Sequence, residues 1–312
     1  HPTVRPALPQ SVAGTHSQAL GGVTSESQAA STATTKDGHA LSEGGTMSLA
    51  LLTAEAVGTS SATTTNGAAL TAGWSIAGAA DAEADTAASA ATAAGNAASA
   101  AGSLALGAVQ GKANAASSSA TEIGSVGSIA LGVATGVIQA QAKVSSSAQT
   151  ADGNAESAAG AYAFSGINSV ASSKSTAASQ TGDVGSTAEA FGFGAFHGEA
   201  NADSAAATGC TICDSSATAT ALATGVIADA TARAKADSPK NPGQAVANAM
   251  ALGGVSRTSN GGTARVAVGP AQALTGGFAV SAPRRVVDQM NEQAGAALDP
   301  ARHAGARVRM PG

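Results

Sequence analysis

The chain has 312 residues, of which 44% are hydrophobic but only 2% aromatic, with 39 glycines, 11% charged residues and a net charge of −5. Its apolar content is mainly alanine, whose burial removes little surface from water, so a deep globular core is excluded and a thin, closely layered one is favoured. No run of eighteen apolar residues occurs, which excludes a helical membrane span, and no basic stripe interleaved with aromatics occurs, which excludes general nucleic-acid binding.

Residues 1–14, with Pro2, Pro6 and Pro9, read as an extended N-terminal arm. The chain opens on His1 without a basic-then-apolar leader and is expected to be the mature product of an exported protein. From 15 to 282 the sequence repeats. The two clearest copies are SLALGAVQGKANA from Ser103 and AFGFGAFHGEANA from Ala190. A third is placed at Ser128, and looser copies at Ser17, Ser48, Ser75, Ala161, Ala217, Ala249 and Gly277. The ten starts are about 29 residues apart on average, the spacing of a stacked supersecondary unit.

Within a unit, large apolar residues fall at the second, fourth and seventh positions, with glycine at the fifth and ninth. The parity changes once, so the chain is expected to turn at the first glycine. Each unit then reads as a strand of large inward residues, a glycine corner, an alanine strand and a Ser/Thr/Gly/Asp return. The fold predicted is all-β, a small-residue β-solenoid of about ten units with its sheets closer than the usual ~10 Å. Disorder and an alanine helix over residues 87–101 are the competing readings. The repeat weighs against the first, and frequent glycine and β-branched residues weigh against the second.

Along the repeats, threonine runs at Thr32, Thr34, Thr35 and at 63–65 suggest an ice-binding face, but no unit-by-unit threonine pair accompanies them. Asp81, Glu83 and Asp85 share one strand face, which fits a solvated outer surface better than a calcium ladder because the intervening alanines would be the buried ones. Tyr162, Phe164, Phe191, Phe193 and Phe196 are expected to form one aromatic core cluster across neighbouring coils. Leu104, Leu106, Ile129 and Leu131 are placed at equivalent inward sites, and a buried Phe193 would cost ~3–5 kcal/mol on truncation to alanine. Cys210-Thr-Ile-Cys213 is the one CxxC. Without a second half-site it fits a local disulfide or packed thiols better than inert cysteines or metal and redox chemistry.

Residues 283–312, with Pro283, Pro300 and Pro311, read as a separate basic tail carrying a short helix over 286–298. Residues 1–256 hold 8 Lys+Arg against 17 Asp+Glu, whereas 257–312 hold 7 arginines against 3 acids. Arg284, Arg285, Arg302, Arg307 and Arg309 therefore form an assembly tail that would meet an acidic neighbour.

The phrases Ser103-Leu-Ala-Leu-Gly107, Ser128-Ile-Ala-Leu-Gly132 and Asn168-Ser-Val-Ala171 resemble the repeat phrase of trimeric autotransporter adhesin heads. That resemblance implies a β-roll geometry and a bacterial surface setting.

No catalytic signature, metal set or cofactor motif is present in the sequence, so the expected role is non-enzymatic. The chain is expected to be a structural subunit of an extracellular filament, sheath or surface layer, polymerising with itself head to tail, with O-linked sugar on its many hydroxyls. An ice- or carbohydrate-binding solenoid and a cell-surface adhesin are the alternatives.

Overall fold

The computed structural model describes residues 10–266 and 271–281. In chain order the strands are β1 (Gln10–Leu20), β2 (Thr24–Asp37), β3 (His39–Leu49), β4 (Thr53–Asn66), β5 (Ala69–Ala94), β6 (Ala97–Ile123), β7 (Val126–Gly136), β8 (Gln139–Asp152) and β9 (Ala155–Ser165). They continue with β10 (Asn168–Ser179), β11 (Val184–Gly194), β12 (His197–Thr208), β13 (Ser215–Thr224), β14 (Ile227–Ser238), β15 (Gly243–Gly253), β16 (Val255–Val266) and β17 (Ala271–Ser281).

Every strand pairs in parallel with the strand one coil away, as in Gln10↔His39, Thr24↔Thr53 and Val126↔Ala155. The result is a two-walled β-solenoid. Wall A holds β1, β3, the first half of β5, the first part of β6, then β7, β9, β11, β13, β15 and β17. Wall B holds β2, β4, the second parts of β5 and β6, then β8, β10, β12, β14 and β16. Among the described residues wall A thus has ten strands and wall B nine. At ~4.8 Å per strand the rod is about 43 Å long.

The registers correct the repeat boundaries. Ser17, Ser75, Ser103, Ala161, Ala190, Ala249 and Gly277 do occupy one common file. Thr46, not Ser48, holds that place on β3; Gly132, not Ser128, holds it on β7; and Ala221, not Ala217, holds it on β13. The predicted arm also shortens, because Gln10–Gly14 already belongs to β1; residues 1–9 and the tail 283–312 lie outside the described residues.

The interior is built from the smallest side chains. Inward positions along the strands are mostly alanine, serine, threonine or glycine, with valine at Val126, Val144 and Val184, and the buried core is almost wholly alanine, for example Ala84, Ala113, Ala142, Ala171 and Ala200 in one file. The predicted parity is therefore reversed. Leu106, Ile129 and Leu131 are 46%, 59% and 46% exposed, and Leu104 also faces outward, while Ser103, Ala105, Ser128 and Ala130 between them are buried.

The reason for the reversal is inter-wall distance. The Ser60 hydroxyl on wall B donates to the Ser42 carbonyl on wall A at 2.9 Å, and Ser146 does the same to the Ser128 carbonyl at 2.8 Å. A single serine side chain spans the gap, so leucine or phenylalanine has no room between the walls.

A serine ladder ties the walls together along the axis. Hydroxyls link Ser31 to Ser42 (2.8 Å) and Ser42 to Ser60 (3.1 Å), and Ser60 to Thr71. After a break at Ala88 the chain of bonds runs Ser99, Ser117, Ser128, Ser146, Ser157, Ser175, Ser186 and Ser204 at 2.6–3.0 Å. Rungs inside the ladder, such as Ser42, Ser128, Ser146, Ser157, Ser175 and Ser186, both give and accept and are satisfied. The buried hydroxyls of Thr46, Ser103, Ser169, Ser173 and Ser215, off the ladder, have no side-chain or backbone partner among the described residues.

The two corners differ. One follows the predicted glycine, as at Gly107, and carries apolar residues. The other repeats Thr-x-x-Gly: the hydroxyls of Thr92, Thr121 and Thr150 donate to the carbonyls of Gly67, Gly95 and Gly124 one coil before, at 3.2, 3.1 and 2.9 Å. Gly67 has φ +123°, and a Cβ there would lie 1.9 Å from the Gly38 carbonyl oxygen, so only glycine fits.

Candidate functional site

Since the interior is closed and filled by small side chains, function must sit on the outer faces and the ends. Wall A carries two adjacent outward files next to the glycine corner. The first reads Gln18, Met47, Ile76, Leu104, Val133, Tyr162, Phe191, Leu222, Met250, Phe278. The second reads Leu20, Leu49, Gly78, Leu106, Thr135, Phe164, Phe193, Thr224, Leu252, Val280. The corner beside them adds Val23, Leu52, Val109, Ile138, Ile167, Phe196 and Val226, each 41–57% exposed. None of these positions is charged. Together they form an apolar ridge along the whole rod.

The aromatic side chains meet, but on this ridge rather than in a core. Tyr162 stacks on Phe191 with centroids 5.1 Å apart and Phe164 on Phe193 at 5.2 Å, both pairs within 2° of parallel. They are successive rungs of the two files, so ring faces are turned along the axis toward one another and ring edges point to solvent. Phe196 departs from the predicted cluster: it lies on the corner, 57% exposed. Burial, then the nearby Glu189 carboxylate, holds the Tyr162 phenol above its usual range.

Wall B is polar outside. Asp81, Glu83 and Asp85 do project outward with Ala82 and Ala84 buried between them. Lys112 on the next coil binds Glu83, which raises the lysine's pKa, and Asn114 donates to Asp85 at 2.6 Å. Farther along the strands a hydroxyl file runs Thr32, Ser61, Ser89, Ser118, Ser147 and Thr176 over six consecutive coils. It lines a groove of about 520 Å³, and a second groove of about 870 Å³ crosses eight strands of wall A. Both grooves lie over the serine ladder, where the hydroxyl bonds draw the walls together.

Cys210 and Cys213 form a disulfide, with Cα atoms 5.3 Å apart. It closes the longest corner, where Val184↔Ser215 are 31 residues apart, and the Cys213 sulfur sits 3.0 Å from the Thr181 carbonyl. The tail arginines Arg284, Arg285, Arg302, Arg307 and Arg309 lie outside the described residues.

The ends are open. Among the described residues nothing covers the outer edge of β1 or β17. Inward residues Ala271, Ala273, Thr275 and Gly277 of β17 are exposed, whereas Gly243, Ala245, Ala247 and Ala249 beside them on β15 are buried.

Sequence reasoning missed the serine ladder, the Thr-x-x-Gly corner and the apolar ridge. The corner was legible, since Thr92, Thr121 and Thr150 each precede glycine by three residues at 29-residue spacing. The fold and surfaces define a two-walled, small-residue β-solenoid with a polar face, an apolar ridge and, among the described residues, unpaired outer strands at both ends. Comparison with protein-family models, curated proteins and solved structures finds no match for this chain.

Proposed function

We propose that this protein is a structural subunit of an extracellular filament, sheath or surface layer, assembling head to tail, and that it is not an enzyme. The open ends support this reading most directly. A parallel strand edge left unpaired is a template for another chain, and solenoids that act singly blunt it with a cap. Pairing β17 of one copy with β1 of the next continues wall A in register. Its inward residues stay small: Ala273 meets Ala13, and Ala279 meets Ala19. Because wall A has one strand more than wall B, the joint leaves one strand's place on wall B. The terminal segments of the chain, 1–9 and 282–312, are the candidates to fill it by strand addition, with the tail arginines setting polarity against the acidic body. Such a contact does not close into a ring and so yields an open filament. The disulfide fits an oxidising, extracellular or cell-surface setting, and the hydroxyls of wall B are acceptors for O-linked sugar.

The test is a cross-link across the joint. Val12 and Gln272 share one outward file at opposite ends of the rod, so Val12→Cys/Gln272→Cys should oxidise to a covalent ladder of multimers while each single variant does not. Deleting 1–9 or 282–312 should leave a folded chain that polymerises poorly. If the double variant gives no ladder and the intact chain stays monomeric at high concentration, the filament reading fails.

A second reading has one observation in its favour: the hydroxyl file from Thr32 to Thr176 suits a flat ice- or carbohydrate-binding face. Thermal hysteresis or glycan binding that disappears when Ser89 and Ser118 become lysine would support it. The aromatic ridge does not add to this reading, because sugars stack on ring faces and these rings turn their faces to each other.

A further inference from the structure

We infer that the apolar ridge of wall A is a lateral interface that takes a second copy of this chain, laid antiparallel about a twofold axis between β7 and β9. This contact is separate from the end-to-end joint.

The two outward files and the adjoining corner run about 43 Å and are roughly 15 Å wide, so on the order of 600 Å² is offered by each copy and about 1,200 Å² would be buried by a pair. Each copy's patch stands at the top of the range of about 300–600 Å² found for the largest patch on a monomeric protein, and the area buried by a pair reaches the lower end of specific interfaces. The surface also has an uncharged centre, bordered on the wall B side by Thr53, Asp81, Gln110, Gln139 and Asn168; on the other side the next outward file extends it with Trp74 and Leu131 before turning polar at Glu189, Thr220 and Asn248.

Shape then selects the direction. Along the ridge the rings lie in one half, on β9 and β11, at Phe196 on the corner after β11 and at Phe278 on β17, while the places on β6 and β7 that correspond to β9 and β11 hold Leu104, Leu106, Val133 and Thr135. A parallel pair would set rings against rings. An antiparallel pair sets Phe193 against the partner's Leu106, Phe164 against the partner's Thr135, Phe191 against the partner's Leu104 and Tyr162 against the partner's Val133. Large faces small at every one of these contacts, and a twofold contact makes each of them twice. The ring edges, turned to solvent in one copy, are the apolar parts that would enter the partner's shallower half.

Cysteine cross-linking on the full chain decides between the arrangements. Leu106→Cys/Phe193→Cys should form an intermolecular disulfide dimer, whereas Leu106→Cys alone should not, because the two copies of residue 106 stay three strand steps, ~14 Å, apart. Within one chain the same separation prevents an internal bond. Sedimentation of the parent should give twice the chain mass or multiples of it. Leu106→Lys/Ile138→Lys, both at exposed positions, should weaken pairing by at least ~100-fold with an unchanged strand signal in circular dichroism. Cross-linking by Leu106→Cys alone would overturn the antiparallel arrangement. A parent whose ridge never pairs would overturn the interface, and so would a monomer that binds neutral phosphatidylcholine vesicles through the ridge. Polymers that cross-link through Val12→Cys/Gln272→Cys but not through Leu106→Cys/Phe193→Cys would overturn this inference while leaving the filament reading standing.

Discussion

Ser146 sits where the serine ladder can be measured. Its hydroxyl donates to the Ser128 carbonyl at 2.8 Å, lies 2.9 Å from the Ser128 hydroxyl, and accepts from Ser157 at 2.9 Å. Ser146→Ala removes one oxygen and leaves almost no cavity, so the cost is electrostatic. Lost bonds contribute about 1 kcal/mol each, and the stranded Ser157 donor, buried between the walls, adds its desolvation; the total is about 2–3 kcal/mol. Ser146→Ala/Ser157→Ala should cost about 1 kcal/mol less than the sum of the two single changes, because the bond between them is counted once. Ser146→Val should cost a further 1–3 kcal/mol over alanine, because the walls are held at the reach of a serine side chain and a branched carbon overfills the gap. Guanidinium unfolding followed by far-ultraviolet circular dichroism reads all four variants. A cost below about 0.5 kcal/mol for Ser146→Ala, or a valine variant more stable than the alanine one, would refute the claim that hydroxyl bonds set the wall spacing.

Three other outcomes follow from the same geometry. Phe193→Ala should cost about 1–2 kcal/mol in the isolated subunit rather than the ~3–5 expected of a core residue, because the ring is half-buried against Phe164 on the outer face; a thermal or denaturant melt checks it. Gly67→Ala should cost more than about 1 kcal/mol, since it forces a Cβ into the Gly38 carbonyl at a positive φ, whereas Gly127→Ala, on an open outward position, should be near neutral. Tyr162 is the single tyrosine. Its phenol, held neutral by burial and by Glu189, should titrate above free tyrosine in the folded chain, read by absorbance near 295 nm. The sign follows from linkage: with the folded pKa raised, the stabilising contribution is complete below the unfolded value near 10 and is lost as pH climbs through the folded one. Glu189→Gln should bring the titration down, and an unchanged midpoint would remove Glu189 as a cause.

The sequence alone carried the strand assignment, the approximate 29-residue period, the turn at the first glycine of the clearest units, the outward Asp81–Glu83–Asp85 file and the expectation of a disulfide or packed thiols at Cys210 and Cys213. Each is written in neighbouring residues: small β-compatible runs, glycine where the parity changes, two cysteines three apart. Alternation along a strand separates two faces but does not say which is inside, and here the usual guess that large apolar residues are buried was reversed. Only the stacked structure decided it. A gap shared by all coils can be little wider at one rung than the ladder bonds allow, so the inward files are small almost throughout, as Ala84, Ala113, Ala142, Ala171 and Ala200 are, and the larger Val144 enters the gap where Gly132 faces it. An outward file tolerates Gly78 beside Leu106 and Phe193. That contrast in uniformity becomes visible only once the register is right, and the phrase at Ser128, which imitates the one at Ser103, slips the alignment by four residues. The serine ladder required the same register. Its members alternate 11 and 18 residues apart because successive rungs belong to opposite walls, and no single strand contains two of them on β7 or β8. Which side chains touch across the gap is set by how closely two sheets approach, a distance that belongs to the whole stack and to no one repeat.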